Sequence, residues 1–307
     1  MRLIRGFAGM RALSRGCATT IGSYDGVHLG HQALIARLCA HAVRSQVPSV
    51  LLSFEPLPRE YLQPQDPPAR LTSLRERWRI LAPGPLDYLC LLRFDEALRN
   101  LCADDFATLL ARDLGARTVV VGHDFRFGRH GAATAQVLAE AGGRLGFQVD
   151  VVEPVQTGGE RISSSAIRAA LASGDFAAAQ RALGRPWSMR GRVIRGECLG
   201  RKLGFPTANL ALERARAPVG GVFAVRVHGI GAAGLAGVAS LGTRPTVHGK
   251  RALLEAHVFD FCGDLYGREI EVEFAAKLRD EQAFASLEAL TEQMHRDALG
   301  ARRILNA

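Results

Sequence analysis

Five short apolar runs, each separated from the next by a stretch of helical length, organise the first half of the chain. Residues 17–22, 47–54, 86–92, 117–122 and 146–152 are rich in Val, Ile, Leu and Thr and read as strands buried on both faces. Residues 31–42, 73–81, 104–114 and 133–141 have the length and apolar spacing of helices. This alternation, from Ala18 to about Pro154, predicts a doubly wound, parallel α/β sheet of Rossmann type, whose ligand crevice opens at the carboxyl ends of its strands.

After Pro186 the texture changes. Residues 189–195, 221–227, 235–241, 253–259 and 269–274 alternate with period two between Gly, Pro and Asn turns, without intervening helices. They predict a small β-barrel, closed by a helix over residues 282–299. A chain of 307 residues is long enough for two cores, so residues 1–185 and 186–307 are expected to form two domains.

The 39 Lys and Arg against 30 Asp and Glu give a net charge of +9, which suits phosphorylated small molecules, nucleic acid or an anionic membrane alike. The six cysteines are scattered, without a CxxC pair or zinc-finger spacing, as in a reduced cytoplasmic protein. No apolar run approaches the ~20 residues of a membrane span. The N-terminus is Arg-rich and has no acidic residue before Asp25, as transit peptides do, yet it runs into a strand-like segment without a spacer.

The first strand ends in residues 22–31, GSYDGVHLGH, where a helix begins at once. Glycines at such a turn let backbone approach a phosphate, and His28 and His31 are suited to hydrogen-bonding charge that develops on one. Gly22, Ser23, Asp25 and Gly30 share this turn and are candidates for the same ATP and phosphate site. Ser164 and Ser165 open a later helix, as caps or phosphate ligands, and Arg168 on its first turn offers a fork for two phosphate oxygens. Phe125 and Phe127 are either core or the border of an aromatic ligand.

In the second domain, residues 191–210 combine a strand, a Gly-punctuated basic loop with Gly200, Arg201 and Lys202, and a turn bearing Thr207 and Asn209. The hydroxyl and amide oxygens of that turn are hard ligands suited to Mg²⁺ beside ATP, although PTAN alone is also an ordinary turn. Glu255 stands in an otherwise apolar strand, so it faces a wet cleft, has a partner, or lies on a solvated face.

The run 22–31 resembles the HxGH signature of the nucleotidylyltransferase superfamily, in the longer form of the bacterial bifunctional riboflavin kinase/FAD synthetases. RLTSLR at 70–75, GHDFRFG at 122–128 and SSSAIR at 163–168 follow in that family's order. GFPTAN at 204–209, GGVFAV at 220–225, GVASLGTRPT at 237–246, the run 254–267 and RDE at 279–281 resemble its riboflavin kinase half. The resemblance implies a Greek-key barrel, Mg-ATP on Thr207 and Asn209, Glu255 as general base, and Arg279, Phe54, Asp124, Phe125 and Phe127 at the flavins. His28, His31 and Arg168 would serve adenylyl transfer, with ATP, riboflavin and FMN as substrates.

Departures from the family pattern are Ser23 for Asn, Tyr24 for Phe and Leu57 for His. The resemblance implies a cytoplasmic enzyme, a monomer or weak homo-oligomer acting on small molecules, with neither membrane nor nucleic acid as partner. The alternatives are a riboflavin kinase with weakened FAD synthesis and a basic nucleic-acid-binding barrel.

Overall fold

The computed structural model describes the chain except Ser14, Arg15, Glu197, Cys198, Ala215, Ala232, Val247 and His248, and except the side chains of residues 12, 199, 202, 243–246 and 249–251. The described residues form two compact units, residues 1–68 with 77–163, and residues 69–76 with 164–307.

The first unit is built on a six-stranded, wholly parallel sheet in the order Arg2–Arg5, Tyr88–Arg93, Ser49–Glu55, Cys17–Ile21, Ala116–Gly122, Gln148–Val152. All five expected strands are present. The centre of the sheet does not alternate, because both its faces are covered; Val50, Leu51 and Leu52 are all fully buried. From Cys17–Ile21 the chain builds outward to one side through Ser49–Glu55, then crosses to the other at Ala116–Gly122. The order therefore reverses at these two neighbours, and a ligand crevice is expected beyond their carboxyl ends.

Two features differ from expectation. An edge strand, Arg2–Arg5, pairs in parallel with residues 88–91. Half of its four residues are Arg and three are exposed, so no apolar run marked it. The helix expected over 104–114 ends as Ala103–Thr108 and continues as a π-turn, Leu109–Asp113.

The second unit is a closed antiparallel barrel in the order Ser188–Ile194, Ala208–Ala211, Gly249–Val258, Leu235–Thr246, Gly221–His228, Glu269–Arg279, which pairs back to the first. Within Gly249–Val258, Ala252, Leu254, Ala256 and Val258 fill the barrel, and the alternating Leu253, Glu255 and His257 are only partly buried and look outward. The helices Ser164–Ala172 and Phe176–Leu183 pack with the barrel, where Ile167, Leu171 and Phe176 join Trp187, Phe223 and Phe274 in one core.

Here too the structure corrects the reading. The PTAN turn runs directly into a strand, Ala208–Ala211, too short to display alternation. The closing helix is Leu287–Leu305, displaced from 282–299, because the Ser286 side chain caps it by accepting from the Ala289 N–H.

Candidate functional site

At the carboxyl end of Cys17–Ile21 the chain turns through residues 22–28 before entering the helix Leu29–Ser45. The turn is strained. Tyr24 and Val27 have φ of 50° and 44°, a left-handed conformation that β-branched Val rarely adopts and that costs on the order of 1–3 kcal/mol. Buried partners hold it there: the Tyr24 hydroxyl lies 2.5 Å from Thr20 Oγ1, and the Tyr24 carbonyl accepts from the Val27 N–H at 3.2 Å. The hydroxyl that Tyr24 adds at this position thus has its own buried partner.

The Ser23 carbonyl accepts from Arg77 Nη1 at 2.7 Å and from Ser53 Oγ at 3.3 Å, and Arg77 Nη2 pairs with Glu55 at 2.9 Å. This anchor uses main chain, which serine supplies as well as asparagine. The glycines here have a packing role. A Cβ on Gly22 would come within 3.2 Å of the Tyr24 ring, and one on Gly30 within 3.2 Å of the His28 ring. Asp25 is buried.

His28 caps the helix, its Nδ1 accepting from the His31 N–H at 3.2 Å, so its proton sits on Nε2 when it caps. The two rings stack with centroids 3.6 Å apart. Burial, then His28, then Arg77 hold the His31 pKa well below its ordinary value, so His31 is neutral at neutral pH. Its Nδ1 is buried with no hydrogen-bond partner among the described residues. A neutral His31 offers a neighbour hydrogen bonds rather than charge.

Beside this turn, Ile21, Phe54, Phe94, Phe106, Phe125 and Phe127 line a cavity of about 390 Å³. Phe125 and Phe127 are at once packed on the sheet core and exposed to that space. Asp124 does not line it. Its half-exposed carboxylate pairs with Arg161, and although burial opposes ionisation, that partner keeps its pKa below the ordinary value. Ser164, Ser165 and Arg168 belong to the other compact unit, where Arg168 Nε donates to the Ala69 carbonyl at 2.6 Å.

In the barrel unit a cavity of about 410 Å³ lies on the outer face of the strands beneath the closing helix. Gly200, Thr207, Asn209, Glu255 and Arg279 all line it. Register explains the grouping. Asn209 pairs with Glu255, and Glu255 with Ser240, so three polar side chains stand abreast on adjacent strands. Glu255 is half-buried on the outward face. Thr207 also lines a second cavity of about 70 Å³ together with Arg201, Asp264 and Tyr266. The Lys202 side chain lies outside the described residues.

Ser240, His257 and Asp297 line the larger cavity but were not anticipated. His257 lies two residues beyond Glu255, and the strand period could have found it. Its Nδ1 is 2.9 Å from the Pro206 carbonyl, beside Thr207. Asp297 carries a different signal, an acidic residue on the helical stripe Leu290, Met294, Asp297, Ala301, Leu305. It is buried and receives Arg279 through Nε, at 3.0 Å to each oxygen, and Nη2 at 2.8 Å; Gln293 adds a bond of 2.8 Å. Ser240 owes its place to pairing between strands, which local pattern does not encode.

A histidine-bearing turn at the reversal point of a parallel sheet, and a barrel whose cavity gathers carboxylate, hydroxyl, amide and guanidinium groups, together define a two-domain enzyme of nucleotide chemistry. Family profiles agree on both halves, FAD synthetase over residues 10–166 and riboflavin kinase over residues 183–305. The chain belongs to the bifunctional riboflavin kinase/FMN adenylyltransferase family. It is 45% identical over 304 residues to the protein of that name from Escherichia coli (strain K12), covering 98% of this chain and 97% of the relative. Identity to the Pseudomonas fluorescens relative is 45% over 306 residues, covering 99% and 98%, and to that of Haemophilus influenzae 40% over 308 residues, covering all of both.

A solved structure titled a macrolide-efflux protein from Streptococcus pneumoniae matches with a TM-score of 0.81 at 30% identity, covering 97% of each chain. No helix among the described residues here is long and apolar enough to cross a membrane.

Proposed function

We propose that the two reactions of the family run at separate sites of this chain, assigned to residues 1–185 and 186–307. Riboflavin is phosphorylated to FMN and FMN is adenylylated to FAD, with ATP serving both steps. The observation that carries the kinase assignment is Glu255, half-buried in the cavity that also receives Thr207, Asn209 and Arg279. Its carboxylate accepts the proton of the riboflavin 5′-hydroxyl as that oxygen attacks the terminal phosphorus of ATP, and ADP leaves.

Thr207 and Asn209 are two positions apart and line the same cavity, so both their oxygens suit one Mg²⁺. A hydroxyl and an amide fit an ion that keeps water and substrate phosphate for its other ligands. Mg²⁺ supplies charge neutralisation on the phosphates. Gly200, Arg201 and Lys202 cradle those phosphates, and Arg279 contacts the flavin.

In the first reaction domain, Phe54, Phe125 and Phe127 wall the flavin of FMN and Asp124 lies near it. The FMN phosphate attacks the α-phosphorus of ATP and pyrophosphate leaves. His28 and His31 donate hydrogen bonds to the charge that develops, Arg168 binds phosphate oxygens, and Gly22, Ser23, Asp25, Gly30, Ser164 and Ser165 complete the phosphate set. Because the Ser23 anchor is a carbonyl, its departure from asparagine is compatible with retained adenylyl transfer. The protein works in the cytoplasm as a monomer or weak homo-oligomer, on small molecules rather than nucleic acid.

Purified protein given riboflavin, ATP and Mg²⁺ should yield FMN and then FAD by chromatography. Accumulation of FMN without FAD would leave the kinase alone. Glu255→Gln should suppress FMN formation by about 10²–10⁴-fold while added FMN is still converted to FAD. Equal loss of both reactions in folded protein would refute the division.

A further inference from the structure

Residues 69–76 lie within the FAD synthetase match, yet they are compact with the barrel. Leu71 is fully buried in the barrel unit's core, and its carbonyl accepts from the Trp187 indole N–H at 3.1 Å. A charged clamp accompanies this contact. Arg214 follows the Ala208–Ala211 strand and pairs with Glu76, and both residues are buried.

Arg214 Nη1 also donates to the carbonyls of Arg70 at 3.1 Å and Leu71 at 3.4 Å. Glu76 in turn accepts from the Ser73 N–H at 2.7 Å and the Arg190 N–H at 2.8 Å. At the head of the same segment, the Ala69 carbonyl accepts from Arg168 Nε.

A buried ion pair is weak evidence for stability, since apolar replacements of both partners are often neutral. Its effect here is geometric. A rigid guanidinium bound to one carboxylate and two consecutive carbonyls fixes the backbone of residues 70–71, where a lysine would be a single point charge. Arg168 is bonded to the residue immediately before.

We propose that Arg214, together with Glu76, is a positioning residue for FMN adenylylation. Arg214 lies in the riboflavin kinase match, but it fixes the backbone from which Arg168, the phosphate-binding arginine of the other reaction, is held. The inference rests on the role given to Arg168 above. It makes FAD synthesis sensitive to a side chain that the kinase step does not use.

The test measures both reactions of the full chain in Arg214→Met, Arg214→Lys and Arg168→Ala, with thermal unfolding of each. Both Arg214 variants should raise the KM for ATP in FMN adenylylation by about tenfold or more, since misplacement of a positioned group by about 1 Å is worth up to 10²-fold. The constants for riboflavin phosphorylation should stay within about twofold. Lysine should not rescue, because it keeps the charge and loses the fork.

If a single variant does not accumulate as folded protein, Glu76→Gln with Arg214→Met leaves no buried charge unmatched and is read by the same criterion. Unchanged adenylylation in the Arg214 variants, or parallel loss of both reactions, overturns the proposal. Arg168→Ala without effect on FAD synthesis would instead mean that the reading of Arg168 had failed. An effect of Arg168→Ala with silent Arg214 variants would mean that the clamp inference alone had failed.

Discussion

Replacing Asp297 with Ala should loosen the wall of the larger barrel cavity. The carboxylate is 7% exposed and takes three hydrogen bonds from Arg279, whose side chain is 19% exposed. Removing one partner of a buried pair costs about 3–5 kcal/mol. Arg279 retains some water contact and its Nη1 bond to the Asp280 carbonyl at 3.0 Å, which places the loss near the lower limit, at about 3 kcal/mol. For a unit of this size each kcal/mol lowers Tm by about 2–4 °C, so a fall of about 6–12 °C is expected. The two tryptophans are divided between the units, Trp78 in the first and Trp187 in the barrel core, so a Trp78→Phe background reports barrel unfolding by fluorescence. The riboflavin KM should rise by about tenfold, because Arg279 lines the cavity, while adenylylation of FMN is unchanged. A barrel transition within about 2 °C of the parent, with unchanged riboflavin KM, would show that this pair does not hold the wall.

His28→Asn keeps a side chain that caps a helix, so it should match the parent in stability while lowering FAD synthesis by about 10²-fold; full activity would reduce His28 to a cap. His31, with its pKa depressed by burial, His28 and Arg77, favours folding fully above its unfolded value of 6.5. The unfolded chain binds the extra proton below that value, so stability should fall as pH drops below 6.5, and less steeply in His31→Gln, as measured by urea unfolding from pH 7 to 5. Burial pushes the thiols of Cys17 and Cys90 up to about 12, so alkylation at pH 8 followed by mass spectrometry should label exposed Cys102 and Cys262 and spare those two until the protein unfolds.

The elements legible in the sequence are those whose periodicity is imposed by burial on both sides or on one. Residues 47–54 read as a strand because three consecutive side chains there are wholly buried, and residues 253–259 because alternate ones are. Arg2–Arg5 and Ala208–Ala211, of four residues each, are fixed by their neighbours in the sheet and barrel, and no local pattern exposes them. The same distinction governs the sites. GSYDGVHLGH and GFPTAN were visible because glycines and hydrogen-bonding groups fall close together in sequence. Ser240 was hidden because strand register alone brings it beside Glu255.

The segment 69–76 shows why a boundary drawn from texture and one drawn from contacts answer different questions. Its sequence follows the order of the sheet domain, and nothing in its eight residues announces a destination. Leu71 nevertheless fills the barrel core, and Glu76 meets Arg214 across 138 positions of sequence. Such long-range pairs carry a loop-closure cost that grows only slowly with separation, so a chain can lend a short segment to a distant core at little extra expense. Ala69 is bonded to Arg168 and the next carbonyl to Arg214, so on the role proposed for Arg168 the geometry of adenylyl transfer is specified in part by a residue within the riboflavin kinase match.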